Sequence, residues 1–160
     1  MGRKRKSVYP VGVREEFGTP VWRVELVKER ELPIRQQLTG SGAVSRMLRD
    51  FLGAVDRECF VVACLDVRNR LIGVNLVAVG SLTAAIVHPR EVLKPAILSN
   101  AHGIITAHNH PSGDPRPSTE DAALRHRLSL AAQALGVRYL DDIILGDGIH
   151  YSAADVGAMA

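Results

Sequence analysis

Residues 104–121 read Ile104-Ile105-Thr106-Ala107-His108-Asn109-His110-Pro111-Ser112-Gly113-Asp114-Pro115-Arg116-Pro117-Ser118-Thr119-Glu120-Asp121, and their pattern decides the fold. Ile104 to Ala107 is a short apolar run of the kind that makes a buried strand. Pro111 to Pro117 contains three prolines and Gly113, residues that fix or free φ in turns, so the segment is a stiff loop. Ser118 is placed to cap a helix, along which Leu124, Leu128, Ala131 and Leu135 follow at helical spacing before Gly136 stops it. A strand, a tight loop and a helix in succession make one unit of an α/β protein, provided the flanking chain supplies more strands.

It does. Downstream, Tyr139 to Leu145, the turn Gly146-Asp147-Gly148 and Ile149 to Ser152 predict a hairpin. Upstream, Cys59 to Leu65 and Leu71 to Val79, joined by the polar turn Asp66 to Arg70, predict another. His88-Pro89-Arg90-Glu91 opens a helical stretch with proline in its first turn, and Pro95 is expected to interrupt or offset it. Ser41 is the expected N-cap of an amphipathic helix carrying Val44, Met47, Leu48, Phe51 and Leu52, with Gly53 near its end. Val21 to Val27 alternates like a half-buried strand, and residues 1–19 read as a basic, irregular lead-in. Strands and helices are interspersed, so the expected fold is α/β, with a mixed central β-sheet flanked by helices, over a single domain at 20–160.

Composition narrows the class. The 160 residues are 46% hydrophobic and 23% charged, which suits a globular chain and excludes disorder for most of it. The longest unbroken apolar run, Cys59 to Leu65, is far below the ~20 residues of a membrane helix, and no signal-type apolar core follows the basic start. No membrane association and a cytoplasmic location are the expectation. Cys59 and Cys64 are the only cysteines, and on one strand they point to opposite faces, so they form neither a disulfide framework nor a CxxC centre. The net charge of +3 is uneven: residues 1–50 carry eleven Lys/Arg against six Asp/Glu, and residues 51–160 carry nine against eleven. Any attraction to DNA therefore sits in Arg3, Lys4, Arg5 and Lys6, although a short basic tail is more often a solvated end.

The chemistry lies in the opening stretch. On an extended backbone His108 and His110 project the same way, and the stiff loop returns the chain to a helix whose first turn holds Asp121. Two imidazoles and a carboxylate suit a catalytic Zn²⁺ with water as its fourth ligand. Each residue also has a plainer reading. Ser118 and Asp121 stand in a capping-box relation, the histidines can be polar residues at a strand end, and Asp114 beside Gly113 suits a turn. The conjunction of the three donors favours the metal. The His-Glu-x-x-His helix of common zinc proteases and the His-x-Glu with Pro-Cys-x-x-Cys signature of zinc deaminases are both absent, and the adjacent letters His-Asn-His lack the spread of an HNH nuclease.

At His108, His110, Ser118 and Asp121 the chain resembles the JAB/MPN metallopeptidases, whose JAMM motif is His-x-His, seven residues, Ser, two residues, Asp. The phrase His108-Asn109-His110-Pro111-Ser112-Gly113-Asp114, with His88-Pro89-Arg90-Glu91 ahead of it, narrows the resemblance to the RadC-type bacterial branch. The similarity runs from about Val21 to the C-terminus and implies a short, stand-alone member with a three-layer architecture like that of cytidine deaminases. The family usually shows Asp-His where this chain has Asp141-Asp142.

The resemblance further implies one Zn²⁺ held by His108, His110 and Asp121, and a glutamate at the start of an early strand that handles the proton. Of eight glutamates, Glu58 immediately precedes the apolar run Cys59 to Leu65. Glu91 is its competitor, but the start of a helix favours a carboxylate there in any case. Ser118 would donate to the developing oxyanion. The implied reaction is hydrolysis of a peptide or isopeptide amide in a protein substrate, whose identity the sequence does not name, and the oligomeric state is not encoded in any motif. The alternative, suggested by the basic front end and by the DNA-repair name of the RadC branch, is a DNA-associated accessory protein with a structural or vestigial metal site. Direct nuclease action is the weakest reading, because one three-ligand ion makes a poor two-metal phosphate clamp.

Overall fold

A computed structural model describes residues 24–31, 38–80 and 87–159. The lead-in, the basic residues Arg3 to Lys6 and the Val21 to Arg23 end of the expected first strand lie outside the described residues. In chain order the elements are α1 (Ser41–Leu52), β1 (Cys59–Leu65), β2 (Leu71–Val79), α2 (Pro89–Leu98), β3 (Gly103–Asn109), α3 (Thr119–Ala134), β4 (Arg138–Leu145) and β5 (His150–Ser152). The five strands form one sheet in the order β2-β1-β3-β4-β5. Only β3 and β4 pair in parallel, as a connection through a helix requires, and the other neighbours are antiparallel, so the sheet is mixed.

Period-two alternation divides the core into two layers. From β1, Phe60, Val62 and Cys64 face one way and meet Val92, Leu93 and Ala96 of α2 and Leu124, Leu128 and Ala132 of α3. Val61, Ala63 and Leu65 face the other way and meet Val44, Met47 and Leu48 of α1. Every residue of β1 is buried, which is why that strand reads as an unbroken apolar run without alternation. The architecture is therefore α/β in three layers. Both cysteines are buried free thiols, and among the described residues no helix is long and apolar enough to cross a membrane.

Four local expectations need correction. Val24 to Val27 is not a strand: it joins no ladder among the described residues, and Val24, Leu26 and Val27 are 66%, 54% and 83% exposed, so alternation in sequence marks no buried face here. Ser41 does not cap α1. Gly40, at φ 82°, takes that position, and the Ser41 hydroxyl donates to Asp155 instead. Helix α2 runs through Pro95, because the burial of Val92, Leu93 and Ala96 against the sheet offsets the one helical hydrogen bond that proline cannot make. Leu135 is the C-cap of α3 and is 54% exposed, with Ala132 filling the buried position.

Candidate metal centre

Strand β3 ends in His108-Asn109, and His110 follows it immediately. Pairing places Phe60 opposite His108, and the two rings stack at 5.9 Å with 13° between their planes. This fixes His108 on the face covered by α2 and α3. His110, two residues on, points the same way, and the two Nε2 atoms stand 3.1 Å apart. Asp121, in the first turn of α3, completes the group, with Oδ1 3.2 Å from His108 Nε2 and Oδ2 3.5 Å from His110 Nε2. Among the described residues this is the one group of three such side chains whose donor atoms converge as a metal requires.

The donor set fits a single ion. Tetrahedral bonds of about 2.0–2.1 Å put neighbouring donors roughly 3.3 Å apart, close to the 3.1 Å between the two Nε2 atoms and the 3.2 Å from His108 Nε2 to Asp121 Oδ1, while the other carboxylate oxygen lies 3.5 Å from His110 Nε2. The neutral tautomer of His110 agrees as well. His110 Nδ1 donates to the Asp114 carbonyl at 2.7 Å, an atom that can only accept, so His110 Nε2 is left without a hydrogen. The side chain of His108 is 2% exposed, that of His110 15% and that of Asp121 11%, so solvent reaches the group from the His110 and Asp121 side. A cleft of about 350 Å³, lined by Arg49, Leu52, Val55 and Gly146 among others, opens beside His110.

Ser118 and Asp121 do form a capping box. Asp121 N–H donates to Ser118 Oγ at 3.1 Å, and Asp121 Oδ2 accepts from the Ser118 N–H at 2.8 Å and from its hydroxyl at 2.7 Å. These contacts leave Oδ1 turned toward His108. Burial works against ionisation of Asp121, but hydrogen bonds from His108 and from the Ser118 side chain and N–H outweigh it and hold the carboxyl well below the usual carboxylate range. Cap and donor thus coexist in one residue.

Two backbone devices hold the loop. His110 N–H donates to the Leu145 carbonyl at 2.9 Å, and Asp147 N–H donates to the Gly113 carbonyl at 2.8 Å, so the loop is fastened to the end of β4 and the turn after it. Asn109, between the histidines, has a role that sequence reasoning missed. Its Oδ1 accepts from Cys59 N–H at 2.8 Å and its Nδ2 donates to the Arg57 carbonyl at 3.0 Å, which clips the backbone on both sides of Glu58. Extending the Phe60–His108 register by one further pair on that face sets Glu58, which is half-buried, across from His110. Glu91 stands on α2 and is tied to Lys94. A second missed group lies behind His108. The Thr106 hydroxyl donates to Asp142 Oδ1 at 2.7 Å and also bonds the Tyr139 hydroxyl, while Arg125 approaches Asp142 Oδ2 at 3.5 Å. Polar residues of this sort give no signal in a single sequence because their pairing depends on strand register.

A family model described as RadC-like JAB domain matches residues 38–158, which contain the whole sheet and the donor group. The chain belongs to the RadC-like JAB family. Relatives agree. A UPF0758 protein of Desulfitobacterium hafniense is 39% identical over 126 residues, 79% of this chain and 56% of its own length. One of Caldanaerobacter subterraneus is 42% identical over 120 residues, 75% of this chain and 52% of its own. One of Moorella thermoacetica is 47% identical over 105 residues, 66% of this chain and 46% of its own. The chain thus spans about half the length of the curated relatives it matches. A RadC-like JAB domain with a His-His-Asp metal group is what the sequence motif implied.

Proposed function

We propose that this domain is a zinc-dependent hydrolase that cleaves a peptide or isopeptide amide bond. The observation that carries the reading is the convergence of His108 Nε2, His110 Nε2 and the Asp121 carboxylate, with solvent access on one side. Those three side chains would hold the ion. When bound, zinc would supply Lewis acidity and lower the pKa of a coordinated water to about 7. Glu58 takes a proton at its carboxylate and returns it to the leaving amine. What supports this role is its register position across from His110 and the Asn109 clip on its backbone. Ser118 Oγ donates to the oxygen of the scissile carbonyl. Its hydrogen now lies on Asp121 Oδ2, so that role requires the hydroxyl to exchange partners.

The test pairs metal analysis of protein purified without chelators with a proteome-wide search for cleaved products from wild type and Glu58→Gln. One zinc per chain in both, with new fragments from wild type alone, is the expected result. Fragments at equal rates from both would overturn the role of Glu58. Absence of fragments from either, with zinc bound, would overturn the hydrolase reading.

A further inference from the structure

The two histidines are held unequally. His110 gives its second ring nitrogen to a carbonyl, but His108 Nδ1 is fully buried with no hydrogen-bond partner among the described residues. A buried polar atom left unmet is costly. A cation on Nε2 fixes the hydrogen on Nδ1, so the need for an acceptor arises at the moment of binding. On the β1 flank the Phe60 ring offers none. On the other flank runs β4, where Asp142 pairs with Thr106, two residues before His108 and on the same face of the sheet.

Asp142 is 3% exposed, and its two oxygens are engaged unequally. Oδ1 has a full hydrogen bond from Thr106, whereas Oδ2 has only the 3.5 Å approach of Arg125, whose Nε is already given to the Ala158 carbonyl. Oδ2 therefore has lone pairs to offer.

We propose that Asp142 is a positioning residue of the metal centre, its carboxylate accepting the Nδ1 hydrogen of His108 when a cation is held at Nε2, with Thr106 and Arg125 fixing the carboxylate in turn. The inference rests on the metal reading given above.

The test is zinc affinity of the full chain, by competition with a chromophoric chelator, together with imidazole nitrogen NMR of the zinc-loaded protein. Asp142→Asn should weaken zinc binding by about tenfold to a hundredfold and move the His108 Nδ1 hydrogen resonance while leaving that of His110 in place. Leu128→Ala, which opens the apolar layer against the same face of the sheet without touching Asp142's hydrogen bonds, should lower stability yet change zinc affinity far less. Equal affinity and an unmoved resonance in Asp142→Asn, or an equal loss in Leu128→Ala, would overturn the proposal. Should Asp142→Asn not fold, the wild-type spectrum decides, because a rapidly exchanging Nδ1 hydrogen in the zinc form is the overturning result. Failure of wild type to take up zinc would overturn the metal reading and this inference together, whereas equal uptake by Asp142→Asn overturns this inference alone.

Discussion

Gly146 lies so close to Gly113 that a Cβ on it would stand 2.4 Å from the Gly113 carbonyl oxygen and 2.8 Å from Pro115 Cδ. Both neighbours belong to the loop that carries the Asp114 carbonyl to His110, so contact at Gly146 controls the aim of a donor. Gly146→Ala should lower unfolding free energy by about 1–3 kcal/mol, the range for overpacking against atoms that cannot yield. Denaturant unfolding checks the stability. A zinc titration of the same variant should show weaker uptake, and unchanged values in both would show that the loop moves aside freely.

Ser118 caps α3, a task separable from the one proposed for it in catalysis. Its role as helix cap needs no ion, so Ser118→Ala should cost about 0.5–2 kcal/mol in metal-free protein, measured by urea denaturation in the presence of a chelator. No loss there would mean that the Ser118 N–H to Asp121 bond alone holds the start of α3.

Helix α3 presents its two faces to different surroundings. Leu128 is fully buried beneath the sheet, and Leu130 is 55% exposed. Leu128→Ala should lower stability by about 2–5 kcal/mol, and Leu130→Ala by no more than about 0.5 kcal/mol. Thermal or chemical unfolding of the pair distinguishes them, and similar losses would place the helix in a different rotation about its axis.

Burial pushes the Cys64 thiol from 9.0 up to about 11, with Ser99 opposing. The unfolded chain therefore releases this proton first, and between about pH 9 and 11 the native state holds more protons than the unfolded one. Stability that is fully present below pH 9 is lost as pH rises through that window, by about 2–3 kcal/mol from this group. Cys64→Ala changes packing at every pH but should flatten the alkaline slope. Unfolding free energies at pH 8 and 10.5 test this, and parallel slopes for the two proteins would refute it.

What was legible in the sequence followed from local rules. The strand β1 appeared as an apolar run because both its faces are covered, and the hairpins appeared through their polar or glycine turns. The donor group was legible because strand alternation and a short loop bring His108, His110 and Asp121 together within one stretch of chain. The failures have a common origin in long-range context. Val24 to Val27 alternates but joins no strand ladder among the described residues, and Pro95 is tolerated because tertiary burial outweighs propensity. The clip made by Asn109 and the buried Thr106–Asp142 contact depend on which strands lie side by side, which no local pattern encodes.

All three donors issue from residues 108–121, and none comes from the distant strands or from α1. An unfolded chain keeps its His-Asn-His pair and so retains part of its grip on a cation, which lends the native state only the difference between the two affinities. The apolar layers on either side of the sheet, not the ion, keep this domain in shape. On the proposed reading, chelation should silence the hydrolysis without unfolding the domain.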